Sequence, residues 1–526
     1  MFEPPSASQI RAFLRAFPCV ALAALLAFGL YHATRSAVHS WDSIAYTARA
    51  HDDPFLSERF LSTTRFHPHH LLYVPLAQWV IEVTGERAGT DPFAPLLLLS
   101  CIAGALSVGA GAWIAWRVAG TLEAALATAG FLTLANSTWL YSTLVEVMMP
   151  AIACLFVGVA LLTHRPLWVV FLAALAVAAG VLLHQIVALY AIVLTLALFA
   201  SGFGRGLVFA LTCGAAIVGT YGWVAFTFGG AESLPEVVAW TLSASPRSAG
   251  LASGIVAASY EAVRTGAEAV VTLVPVTRLR AGATMDVPLW IGVGAVAIVG
   301  VTAVLGWTRA LRAAPPDASS PTRAASAGLL WGSVVTALFI AWFQARVIDY
   351  WVYVVAALGV WALGRLRFVP KVAFLVWLLL LGGTNYYFRV LPMRDAGNAP
   401  YAAMARYVEE RLQPGDRFWL ADSDTALEHA LVLLPFVYKV ETETVDPVAV
   451  GQSPAGRSRA REWALGPGRL FATSAARGEI RRAGIQEWAW SQEGRIGETP
   501  VYRLVWAVSK SPADSLAGEP PPAAGP

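Results

Sequence analysis

Between His39 and Tyr73 the chain reads HSWDSIAYTARAHDDPFLSERFLSTTRFHPHHLLY, a stretch that holds Asp42, Asp52, Asp53, Glu58, Arg49, Arg59, Arg65 and five histidines. Residues of these types can share a group transfer between them. A carboxylate takes the proton of a hydroxyl nucleophile, while cations and imidazoles receive an anionic leaving group. Asp42, in HSWDSIAY, has two readings: the N-cap of a short helix over 43–50, or a carboxylate that accepts a proton from an acceptor hydroxyl. Asp52-Asp53-Pro54 reads as a turn opener. In RFHPHHLLY, Pro68 suits the first position of a helix. The free N–H groups of that helix start then lie beside Arg65 and His67 and make an anion site. The structural alternative is that Arg65 and the histidines anchor an interfacial helix. H-x-H-H is not the i,i+4 spacing that sets two metal ligands on one helix face, although His51, Asp52 and Asp53 could contribute; no metal site is expected.

Three more places carry polar chemistry. Glu146 lies in LYSTLVEVMMP, His184 in AGVLLHQIVAL, and Gln344, Arg346, Asp349, Tyr350 and Tyr353 in QARVIDYWVY. Each falls at the end of an apolar run, where an ionisable group either serves a site or snorkels to water. Arg346 and Asp349 are i,i+3 apart and could pair with each other.

The elements that must position these residues are mostly apolar. Of 526 residues, 57% are hydrophobic and 13% charged, the balance of a polytopic α-helical membrane protein. A net charge of +3 gives no reason to expect a nucleic-acid partner. Cys19, Cys101, Cys154 and Cys213 all sit in apolar runs, which excludes a disulfide framework and a CxxC metal site. Runs of the roughly 20 residues needed to cross ~30 Å of hydrocarbon fall near 16–35, 94–116, 121–140, 147–163, 206–226, 287–307, 325–343, 350–364 and 371–387. A longer run, 166–203, divides at His184-Gln185 into two, making about eleven spans. The first is expected to be retained rather than cleaved. Arg11/Arg15, Arg117, His164-Arg165, Arg205, Arg309/Arg312/Arg323 and Arg365/Arg367/Lys371 then share one side, which places the N-terminus in the cytoplasm. The loop 36–93 falls on the outer face, with 69–84 as an interfacial or re-entrant helix inside it. LPEVVAWTL and SYEAVRTGAEAVVTLV, in a second outer segment over 227–286, are amphipathic.

From 389 the pattern becomes that of a soluble domain. A helix over 402–412, a strand at DRFWLAD, a helix at ALEHALVLL, a strand at VYKVETETV, then GRLFATS, a helix at ARGEIRRAG and strands at QEWAWSQ and VYRLVWAV indicate a small α/β unit over 389–508. The Pro/Ala/Gly-rich tail 509–526 reads as disordered.

An acidic residue soon after the first helix, a His-Pro motif opening an interfacial helix, and an acidic residue at the outer end of the third span together resemble the GT-C superfamily of polyprenyl-phosphate-sugar-dependent glycosyltransferases. The likeness is nearest to its protein O-mannosyltransferase-like branch. FHPHHLLYVPL stands where that branch has an HPPGYPLY-like stretch, LVEVMMP where it has AEVY, and AGVLLHQ where it has GLxxxNH. The resemblance implies a GT-C transmembrane domain over 1–388 and an inverting, metal-independent transfer of a sugar at the outer membrane face, without a cofactor. It implies Asp42 as base or acceptor-orienting carboxylate, Glu146 on the acceptor side, Arg65, His67, His69, His70 and His184 at donor phosphate or sugar, and Arg346 against the leaving phosphate. The partners it implies are the polyprenyl-phosphate sugar, membrane lipids and an acceptor that is protein, lipid or glycan. Two departures stand out: Ser43 replaces a second acidic residue beside Asp42, and no Gly-Tyr pair follows His-Pro.

Two rival functions compete. A transporter or lipid flippase needs charged residues near the bilayer midplane on repeated halves, and these spans are nearly charge-free at their centres. A non-catalytic envelope assembly protein would act through the C-terminal domain. The Ala/Gly/Arg-rich composition points to a bacterial inner membrane.

Overall fold

The computed structural model describes residues 7–51, 66–84, 91–243, 255–281, 286–312, 321–343, 345, 347–365, 371–398, 402–421, 440–444, 468–482, 488–496 and 499–507. The chain divides into two compact units, one of residues 1–52 and 61–396, the other of 53–60 and 397–526. Arg65, Gln344, Arg346, Asp52 and Asp53, the ALEHALVLL segment and the tail after 509 lie outside the described residues.

The first unit is helical: α1 (Ala7–Ala33), α2 (Trp41–Ala50), α3 (Tyr73–Thr84), α4 (Ala94–Ala119), α5 (Leu122–Leu134), α6 (Asn136–Ser142), α7 (Met148–Leu162), α8 (Leu167–Leu183), α9 (Val187–Ser201), α10 (Phe203–Thr227), α11 (Leu234–Ser243), α12 (Ile255–Val270), α13 (Val274–Arg280), α14 (Val287–Arg312), α15 (Pro321–Phe343), α16 (Ile348–Arg365) and α17 (Lys371–Asn385). Helix occupies each of the eleven apolar segments. Among the described residues six helices are long and apolar enough to cross a membrane, and α5, α7, α8 and α9 are shorter apolar helices. With this composition the chain is an integral membrane protein.

The core forms around α4, which packs against α1, α5, α7 and α16. Gly111 makes this approach possible: a Cβ there would meet the Leu132 side chain at 2.5 Å and that of Val360 at 3.0 Å. Two segments differ in detail from expectation. The run over 121–140 is two helices, because Ala135 is extended (φ −63°, ψ 136°). The Leu134 carbonyl beside the break is satisfied from outside the helix, by the Asn385 side chain donating at 2.8 Å, while the Asn136 side chain reaches across to donate to Glu268 O in α12 at 2.7 Å. The last span ends in a π-helical turn, Tyr386–Val390.

The second unit holds α18 (Ala402–Arg411), β1 (Arg417–Leu420), β2 (Glu441–Thr444), β3 (Leu470–Thr473), α19 (Ser474–Arg482), β4 (Trp488–Ile496) and β5 (Thr499–Ala507). Its five-stranded sheet runs β2-β1-β3-β5-β4, with β1 parallel to β2 and β3, and β5 antiparallel to β3 and β4. Both faces of β1 are covered. Phe418 and Leu420 pack with Tyr407 and Val408, whereas Trp419 and Ala421 pack with Ala476 and Ile480. The entries to β1 and β3 are tied by Asp416, which accepts from the Gln413 and Arg469 amides at 2.8 and 2.9 Å and from the Arg469 guanidinium at 2.6 Å. Burial alone would push this carboxyl up, but Arg469 and the two amides hold it below the ordinary carboxylate range. Gly468 is required at this junction, since its φ is +89° and a Cβ would run into the Gly415 carbonyl. Replacing Asp416 by Ala is expected to lower the stability of this unit by about 1–3 kcal/mol, most of it from the two orphaned amides because Arg469 is partly solvated. A depressed carboxyl stabilises above its unfolded pKa and loses that contribution as pH falls. The gap in thermal midpoint between wild type and Asp416→Ala should therefore close toward low pH.

Candidate active site

The site begins at α2. Ser40 is its N-cap, with its hydroxyl accepting from the Ser43 amide, so the helix starts at Trp41 and not at 43. Asp42 is released from capping and sits in the first turn, where its charge favours the helix dipole. Asp42, Tyr46 and Arg49 follow at i, i+4 and i+7 and so share one face. The opposite requirement, fixing the helix, falls to the two serines. Ser43 donates to Val145 O at 2.9 Å, and Ser40 donates to Glu146 Oε1 at 2.8 Å. The departure at Ser43 thus has a structural role: it docks the Glu146 turn onto the start of α2.

Glu146 is 3% exposed, its Oε2 has no hydrogen-bond partner among the described residues, and it shares its surroundings with Asp42 and Asp349. Burial first, and then the charges of Asp42 and Asp349, push its carboxyl well above the ordinary range. Two carboxyl groups in one site with opposed environments can divide the work of acid and base. A carboxyl raised in the folded state stabilises below its unfolded pKa, and that contribution is lost as pH rises through the folded value. Glu146→Gln, which keeps the acceptor for Ser40, is expected to fold as wild type and to flatten the decline of the thermal midpoint as pH rises above the ordinary carboxylate range. A pH series of melting curves on both proteins checks this.

The His-Pro motif forms the second wall. Pro68 opens a short 3-10 turn, Pro68–His70, rather than the helix that follows, α3, which starts at Tyr73. This turn is docked on the break between α8 and α9. Gln185 donates to Pro68 O at 3.0 Å, Tyr221 donates to the same carbonyl at 2.7 Å, and the Gln185 amide donates to His69 O at 3.3 Å. The break at His184-Gln185 therefore exists to receive the histidine turn. Ring centroids of His70 lie 5.5 Å from His67, 6.0 Å from His69 and 5.0 Å from His184, so four candidate residues converge. Burial pushes all four imidazoles down, His67 to about 4 and His184 to about 3, and they are neutral at pH 7. Ring nitrogens of His67, His69 and His70 lie within 4.8 Å of one another, so by distance alone the three could hold a metal ion.

Besides Asp349, Tyr350 and Tyr353, which the sequence already offered, several residues join the site that it did not single out. Arg49 is pushed down by burial and stands close enough to Asp42, Tyr46 and His67 to bear on each; its Nε has no hydrogen-bond partner among the described residues. It bridges the carboxylate side and the histidine side. Tyr46 sets its ring edge against His70 and Tyr73, while His184 lies 5.3 Å from Tyr353 and 5.7 Å from Tyr350. The Tyr141 hydroxyl donates to Asp349, and Arg389, on the π-helical turn, lies within electrostatic reach of both. The i,i+7 spacing of Asp42 and Arg49 was a usable signal; nothing local marks Tyr141, Gln185, Tyr221 or Arg389. An apolar cavity of about 490 Å³ lies between α14, α16 and α17, lined by Trp307, Trp351, Val354, Leu363, Phe374 and Trp377.

No protein-family model matches the sequence, and no curated protein matches it. Solved structures do. The crystal structure of ArnT from Cupriavidus metallidurans bound to undecaprenyl phosphate superposes with a TM-score of 0.60 at 15% identity, covering 93% of this chain and 98% of that chain. The apo form of the same protein gives 0.60 at 14% identity over the same shares. At such identity the likeness is one of architecture, and it covers the helical unit and the α/β unit alike. The fold expected from the Asp42, His-Pro and Glu146 motifs is the one found: this chain is an integral membrane protein with the GT-C fold.

Proposed function

We propose that the chain is a membrane glycosyltransferase that moves a sugar from a polyprenyl-phosphate donor to an acceptor hydroxyl at the outer face of a bacterial inner membrane, with inversion and without a metal. The observation that carries this reading is the convergence, inside a GT-C fold, of Asp42 and Glu146 with Arg49 and the four histidines. In the reaction the acceptor oxygen forms a bond to the anomeric carbon as the carbon–phosphate oxygen bond breaks. The bonding pair leaves with the phosphate, and the hydroxyl proton passes to Asp42. Glu146, whose carboxyl burial and its acidic neighbours push up, orients the acceptor through hydrogen bonds. Arg49, His67, His69, His70 and His184 receive the phosphate, and the resemblance adds Arg65 and Arg346. A phosphate leaving group calls for cations and hydrogen-bond donors rather than a general acid. The apolar cavity between α14, α16 and α17 suits a stretch of isoprenoid chain.

Membranes enriched in the protein, supplied with polyprenyl-phosphate sugars and a lipid extract, should release free polyprenyl phosphate and glycosylated acceptor. A comparison of extractable glycans between wild-type and deletion cells would name the acceptor. No change in either would overturn the reading in favour of an assembly role for the second unit.

A further inference from the structure

His67 and His184 share a local arrangement. The Nδ1 of His67 accepts the backbone N–H of His69 at 3.3 Å, and the Nδ1 of His184 accepts that of Ile186 at 3.3 Å. Each ring therefore caps the amide two residues ahead of it and commits its Nδ1 lone pair. A neutral imidazole has one lone-pair nitrogen and one N–H, so both rings carry the proton on Nε2. His70 differs: its Nδ1 has no partner among the described residues, while the Leu183 carbonyl is in hydrogen-bonding contact with its ring. A metal ion needs the lone pair of each ligating nitrogen. With its Nδ1 engaged, His67 offers a metal only a protonated nitrogen, which removes it from the three-histidine set that distance alone would allow.

We propose that His67 and His184 are locked as Nε2–H tautomers by these two backbone caps and present paired neutral donors to the phosphate oxygens of the lipid donor. The proposal rests on the reading above that the donor is a polyprenyl phosphate. The low pKa of both rings agrees with it, because neither ring becomes a charged imidazolium at neutral pH. Neutral donors fit a site that has to let the phosphate go after transfer. They hold it by direction while Arg49 supplies the charge.

The amides of Asn and Gln separate the two ring nitrogens. His67→Asn and His184→Asn keep an acceptor near the Nδ1 position and so keep the cap, but lose the distal donor. His67→Gln and His184→Gln place an N–H near the Nε2 position and lose the cap. Binding of farnesyl phosphate to the detergent-purified full chain should weaken at least tenfold in each Asn variant with the thermal midpoint unchanged, and should stay within about threefold of wild type in each Gln variant, which melts earlier. In 15N-histidine-labelled wild type, the two signals lost in the Asn variants should show Nδ1 unprotonated and Nε2 protonated. Wild-type binding that survives both Asn substitutions overturns the proposal alone, as does the opposite tautomer. Stoichiometric zinc bound by wild type and lost in His67→Asn also overturns it. A wild type that binds no farnesyl phosphate overturns it together with the reading on which it rests.

Discussion

Asp42→Asn is expected to reduce sugar transfer by roughly 10²–10⁴-fold, the range for losing a positioned proton acceptor, while the protein accumulates and melts as wild type. The amide keeps the size of the side chain, and the cap that starts α2 belongs to Ser40, so the helix has no reason to move. That separation makes the variant informative. Had Asp42 been the cap, the same substitution would have mixed a fold defect with a chemical one. Donor affinity should change little, because the phosphate contacts proposed above are Arg49 and the histidines. A radiolabelled transfer assay in membranes, with KM and kcat taken apart, checks this. The loss belongs in kcat, and full activity in Asp42→Asn would remove Asp42 from the chemistry.

Arg49→Ala is expected to weaken donor binding about 10–100-fold, the effect of losing one or two charge-assisted hydrogen bonds. Its position between Asp42 and His67 leaves a second signature. Without its charge His67 is easier to protonate, since Arg49 is one of the causes holding that ring down, after burial. The pH dependence of donor KM should therefore move on its acid limb toward neutrality in Arg49→Ala and stay in place in Arg49→Lys. A loss confined to kcat would place Arg49 on the acceptor side instead.

Much of this was legible in the residues. Hydropathy located every helix that spans the first unit, because a bilayer-facing helix has to be apolar all along its length. Pro68 marked the start of a turn at His67–His70, but that turn is a short 3-10 one whose His69 and His70 amides are bonded to His67, so the free helix start read from the sequence is not formed. The pieces that stayed hidden depend on contacts between distant segments. Ala135 breaks the third span where Asn385, 250 residues on, supplies the donor for the Leu134 carbonyl beside the break. Asp42 reads as a cap until Ser40 is seen to do that work while also holding Glu146, and Ser43 reads as a missing acid until its hydroxyl is found on Val145 O. Arg49 was visible as a charge, but its role follows only once α2 is known to run from Trp41 to Ala50 as one helix. Short-range rules describe helices and caps well. They carry no information on which turn a serine hydroxyl will reach 100 residues away.

The clamp on Pro68 O has a thermodynamic meaning. Tyr221 donates to that carbonyl from α10 and Gln185 from the break between α8 and α9, so the histidine turn is ordered when the bundle forms. Its backbone freedom is lost in folding, where the whole bundle compensates for it, and not again at each catalytic cycle. Binding of the proposed polyprenyl-phosphate donor then has to restrict only the donor itself. For a ligand with a long isoprenoid tail of many rotatable bonds, a receptor that is already rigid at the phosphate end keeps the entropic penalty of association on one side of the equilibrium.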